Sequence, residues 1–208
     1  MILIAAHSVA AQSSAVQVGV EGGVSIATLT GTPGQDIQAR TAGSFGAVLV
    51  VASAQSAFGF ETGIAYVPKG ATNSANGVRV SFESSYVEVP LLLRVGLPLR
   101  GSQILPTLAV GASVGFNDGC RMSFTSGGVS GANDCNSKAA LGGSAFNLRA
   151  VDLGVTAGVG VDIPLSPAFV LAPAVRFTRG VSTISSSAKA PDVVNSAFQL
   201  GVGLRWRL

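Results

Sequence analysis

VDLGVTAGVGVDI, residues 151–163, puts Val151, Leu153, Val155, Val159 and Val161 on one face, with Ala157 and Ile163 in the same register. The opposite face is Asp152, Gly154, Thr156, Gly158, Gly160 and Asp162. Strict period two is the signature of a strand with two unlike environments. Glycine weakens a strand and offers nothing to pack, and aspartate is disfavoured there. Such a face makes a poor outer surface for a soluble sheet but suits a narrow enclosed interior. The stretch therefore reads as a strand turned inside out, aliphatic side chains to lipid and small or polar ones to a lumen.

Composition points the same way. Of 208 residues, 48% are hydrophobic, only 11% are charged, and 27 are glycine. A soluble domain carries about 25% charged residues. Yet no apolar run reaches the roughly 18 residues of a spanning helix, so the membrane reading rests on strands. The net charge of +3 is scattered, and no basic run or basic-aromatic patch points to nucleic acid. The opening MILIAAHSVAAQ reads as the end of a secretory signal peptide with a junction at Ala11-Gln12. That divides the chain into a signal remnant, residues 1–11, and a barrel domain, residues 12–208.

The alternation recurs at 15–29, 58–66, 86–97, 107–116 and 198–208. Residues 43–53 are apolar on both faces near their end, which leaves their orientation open, and 169–180 contain Pro173, a residue of edges and bulges. With 151–163 the expected strands number eight, each near the length of about 9–11 residues that a tilted membrane strand needs. Short connections at 54–56, 98–103 and 164–167 alternate with long ones at 30–41, 68–80, 117–145 and 180–195. Tight periplasmic turns and long external loops have this asymmetry. The expected fold is all-β: one eight-stranded antiparallel up-and-down transmembrane barrel. A soluble lipocalin-like barrel would invert the faces and leave an outside of Gly, Ser, Thr and Ala.

On the membrane assignment Glu21, Glu61, Glu88, Asp152 and Asp162 face inward, as do Arg94, Arg176, Arg205 and Arg207. Eight strands leave an interior that side chains fill. Unpaired buried charge is costly, so these groups are expected to pair as a structural plug, with a narrow channel as the competing reading. Arg149 and Arg179 share the outward parity at the outer rim, where they can meet lipopolysaccharide phosphates or simply extend to water.

Catalytic chemistry finds little support. The only histidine, His7, falls in the leader, which removes Ser-His and Asp-His pairs and histidine metal sites. Lys69, Lys138 and Lys189 all fall in expected loops with no surrounding motif. Neither an enzyme nor a bound metal or cofactor is expected. Cys120 and Cys135 fit an exported chain with one disulfide in the longest loop. Asn117, Asp118 and Asp134 beside them are explained as well by loop chemistry as by calcium.

YVEVPLLLRVGLP (86–98), ETGIAYVPKGA (61–71) and VRFTRGVSTIS (175–185) resemble strands of the PorT-type outer-membrane β-barrel family. The resemblance runs from about Val16 to Leu208 and implies the barrel fold and tolerance of Pro90. Trp206 and Leu208 resemble the terminal signal read by the outer-membrane barrel assembly machinery. It implies a bacterial outer membrane, with its lipid and lipopolysaccharide as surroundings. Some members of the family act in protein secretion or gliding, so a secretion or surface protein partner met through the external loops is the implied role.

Overall fold

The computed structural model describes residues 14–31, 37–53, 57–135, 148–184 and 193–208. Within them lie β1 (Ser14–Thr30), β2 (Ile37–Ser53), β3 (Phe58–Ala75), β4 (Val78–Gly96), β5 (Leu105–Ser126), β6 (Val129–Asp134), β7 (Val151–Pro164), β8 (Phe169–Gly180) and β9 (Val194–Arg207). The strands are antiparallel, and eight of them close a ring in the order β1-β2-β3-β4-β5-β7-β8-β9, with β9 returning to β1. Closure pairs the backbone groups that lipid could not solvate. The ninth strand, β6, pairs with β5 alone among the described residues and stands outside the ring.

That ninth strand corrects the expected loops. The 68–80 segment is mostly strand: β3 and β4 meet at Asn76-Gly77, both at positive φ (51° and 74°), the geometry of a tight hairpin turn. Likewise β5 runs on to Ser126 and reverses at Gly127-Gly128 into β6, taking much of the 117–145 segment. The physical reason is that the ladder continues past the lipid, while the apolar alternation ends where the outer face no longer meets hydrocarbon. The expected signal remnant (1–11) and the short 54–56 connection lie outside the described residues, as do parts of the long connections.

Side chains sort by parity. Val20, Phe45, Ile64, Leu93, Val110, Val155, Leu200 and Val202 are exposed on the outer wall, whereas the intervening residues turn inward. In β2 the ambiguity resolves with Phe45 and Val51 outward and Val48 and Val50 buried. Phe169 stacks on Trp206 (6.5 Å) near the end that holds the C-terminus. Phe45–Tyr66 (5.4 Å) and Phe177–Phe198 (4.6 Å) lie further up the wall. Aromatic pairs at two heights are the belts of a membrane barrel.

The glycines of β7 are small because their neighbours fill the lumen. A Cβ on Gly158 would sit 2.9 Å from Arg176 Cγ, and one on Gly154 2.9 Å from Thr178 Cγ2. Gly111 in β5 has a different reason: its Cβ would come within 2.1 Å of the Leu91 carbonyl, so the wall itself is closely coiled there.

A bulge rebuilds the outer mouth. Ser85 pairs with Gly119 but Tyr86 with Asn117, leaving Asp118 as the extra residue. Below it Phe116 faces out; above it Cys120 and Met122, of the same parity, pack inward. An extra residue re-aims the side chains beyond it. Cys120 and Met122 join Phe82, Cys135, Ile184 and Val193, with Leu29 and Leu148, in an apolar cluster. Cys120 is bonded to Cys135, with 5.5 Å between Cα atoms. Replacing both cysteines by serine should lower stability by about 3 kcal/mol in the chain-entropy account, read as an earlier urea midpoint for the refolded barrel.

Candidate functional site in the barrel interior

Inward parity, interrupted by the bulges, brings charged side chains from six strands into two clusters. The first centres on Glu61 of β3. Arg176 Nη2 donates to Glu61 Oε1 at 2.7 Å and, with Nη1, holds both oxygens of Glu21 (2.8 and 3.1 Å). Arg94 spans Glu61 (3.4 Å) and Asp162 (2.6 Å), and Arg205 spans the same two carboxylates at 3.5 and 3.2 Å. Cavities of about 30 and 10 Å³ border these ion pairs, room for water rather than a solute.

The second cluster lies towards the apolar cluster of the outer mouth. Lys69 Nζ meets Glu88 Oε1 at 2.5 Å and Asp152 Oδ2 at 3.1 Å, and lies 4.8 Å from the centre of the Tyr86 ring. Asn195 Nδ2 donates to Asp152 Oδ2 (2.9 Å) and to the Tyr86 hydroxyl oxygen (3.3 Å), and Ser182 Oγ donates to Asp152 Oδ1 (3.3 Å). Lys69 is a correction, since it sits inside the barrel on β3 rather than in a loop. The signal was its odd parity, shared with Glu61 along one strand, but the apolar alternation that marks the strand stops at Tyr66. Gly70, next to it, is buried at φ 133°, and a Cβ there would press on the Phe82 carbonyl at 2.1 Å. Arg40 donates to the carbonyl of Lys69 (3.3 Å) and reaches Glu83 Oε2 on β4 (3.5 Å).

Other sequence-derived candidates fall elsewhere. Arg207 is not brought into either cluster; its Nη1 donates to the Pro167 carbonyl at 3.4 Å at the opposite end of the barrel. Arg179 is exposed on the outer face of β8. The exposed Arg149 is held by its backbone N–H on Ile184 O at 2.9 Å. Trp206 is exposed, and the Leu208 N–H still bonds the Val16 carbonyl at 2.9 Å. Asn117 Nδ2 bonds the Gly119 carbonyl across the bulge at 3.5 Å, and no group of three or more His, Cys, Asp or Glu side chains suited to a metal occurs among the described residues.

An aliphatic outside, a charged inside and aromatic belts are the features of a membrane barrel. Residues 10–186 match a family model described as "Outer membrane protein beta-barrel domain". The chain belongs to that family. This outer-membrane barrel shares its fold with solved structures at low identity. The outer membrane protein AlkL in DMPC bilayers is 14% identical, with a TM-score of 0.52, covering 100% of this chain and 96% of that one. OprG from Pseudomonas aeruginosa is 13% identical, with a TM-score of 0.50, covering 94% and 97%. No curated protein matches the sequence. The protein is therefore an all-β antiparallel barrel of the bacterial outer membrane, and the soluble lipocalin-like alternative is set aside.

Proposed function

We propose that this barrel is a closed, non-conducting, non-enzymatic anchor whose outer end engages a secretion or surface protein partner. The observation that carries the reading is the Glu61-centred cluster. It ties β1, β3, β4, β7, β8 and β9 together across the lumen through six charged side chains. A path for hydrated ions would have to part these pairs, and the apolar cluster of the outer mouth stands in series with them. The β5–β6 hairpin presents the exposed Phe124 and Val129 at the outer end, which suits contact with a protein. The YVEVPLLL stretch resembles strands of the PorT-type barrels, and that resemblance supports a secretion-linked partner rather than a solute. Trp206 and Leu208 fit recognition by the assembly machinery, and Arg149 and Arg179 fit phosphates of lipopolysaccharide.

Planar-bilayer recording of the purified protein tests the closed lumen. A flat baseline is expected, and reproducible unitary steps would overturn it in favour of a narrow channel.

A further inference from the structure

The two interior clusters differ in charge balance. Glu21, Glu61 and Asp162 are matched by Arg94, Arg176 and Arg205. Among the described residues Glu88 and Asp152 share one ammonium, that of Lys69, which leaves one negative charge in surplus there. Side-chain exposures are 3% for Lys69, 6% for Glu88 and 3% for Asp152, so water supplies little compensation. An uncompensated charge at that depth is strongly unfavourable.

A second, independent feature points to what balances it. Asn195 is 1% exposed and aimed into the cluster, its Nδ2 on Asp152 and the Tyr86 hydroxyl. Its Oδ1 is buried with no hydrogen-bond partner among the described residues. A buried carbonyl oxygen without a donor is costly unless it coordinates something. The same cluster holds two carboxylates, the Tyr86 phenol that accepts from Asn195 Nδ2 and the Ser182 hydroxyl on Asp152, while the buried Ser84 hydroxyl is opposite Lys69 in the β3–β4 register. These are all hard oxygen donors, without sulfur or imidazole, the set that suits an alkali or alkaline-earth ion rather than a transition metal. Charge then selects between those two: a monovalent ion neutralises the cluster, and a divalent ion would reverse its sign.

We propose that the Lys69–Glu88–Asp152–Asn195 cluster binds one small monovalent cation, of which sodium is the probe. The site gives the family-like stretches AYVPKG and YVEVP a common purpose, because Lys69 comes from one and Tyr86 and Glu88 from the other. Thermal unfolding of the detergent-solubilised full chain, followed by heat-dependent gel migration, is compared in sodium chloride and choline chloride at equal ionic strength and pH 8. The wild-type midpoint should rise by a few degrees in sodium and saturate. Glu88→Gln leaves Asp152 matched by Lys69, so this variant should fold and lose the sodium response. Lys69→Met leaves two carboxylates and should gain a calcium response instead. A wild-type midpoint indifferent to sodium would overturn the proposal. If that midpoint also fell as pH rose from 6 to 9, the surplus charge would be assigned to a bound proton. A sodium response retained in Glu88→Gln would equally remove the site from this cluster.

Discussion

Glu61→Ala is expected to cost the barrel about 3–5 kcal/mol of unfolding free energy, the range for removing one partner of a buried ion pair. Glu61 is 3% exposed on its side chain and touches Arg94, Arg176 and Arg205. Without it those guanidinium groups share only Glu21 and Asp162, and one positive charge is stranded away from water. The sign of the effect can be checked by restoring balance rather than contact. In Glu61→Gln/Arg205→Met the remaining charges divide into Arg176 with Glu21 and Arg94 with Asp162. That double variant should regain much of the loss, so the two changes are strongly non-additive. Urea unfolding in lipid vesicles, followed by Trp206 fluorescence, measures both. A Glu61→Ala barrel within about 0.5 kcal/mol of wild type, the scale of an ordinary surface change, would show that the cluster is solvated.

Val202→Arg should destabilise the barrel in bilayers by about 2–4 kcal/mol, the cost of a cation on the lipid face near the midplane. Val202 is 51% exposed and lies on β9 midway between Phe198 and Trp206, opposite Gly22 on β1 and Pro173 on β8. No inward group can reach a side chain placed there. Val202→Leu, which keeps the face apolar, should leave the unfolding midpoint unchanged. Refolding yield and urea midpoint in vesicles decide it, and an arginine tolerated at this position would mean the face meets water.

The membrane-spanning parts of the wall were the most legible. The expected strand at 169–180 coincides with β8, and the one at 151–163 differs from β7 by a single residue. There the outer face touches lipid and the inner face does not, so hydropathy alternates sharply with each residue. Beyond the lipid that contrast disappears. The outer halves of β3, β4 and β5 carry Ser, Thr, Asn and Arg on both faces and read as loop, although their ladder is continuous. Lys69 was hidden for the same reason.

The acids and most of the bases of the interior were identifiable by parity, but their grouping was not. Five acids against four bases suggested one nearly balanced network. The structure instead divides them, sends Arg207 to Pro167, and brings Lys69 in.

In the cleanly alternating strands sidedness was therefore determined by sequence alone, because there the direction of a side chain follows from its own number and that of its neighbours. VDLGVTAGVGVDI states which residues meet lipid without reference to any other part of the chain. Pairing depended on tertiary structure. Asp152 meets Lys69 across 83 residues and Arg176 meets Glu21 across 155, distances at which local pattern carries no information. One unpaired residue, Asp118, also reverses the parity of Cys120 and Met122 and so brings them into the apolar cluster. Strand register and bulges are properties of the closed sheet, and they decide which inward charges share a level and can neutralise one another.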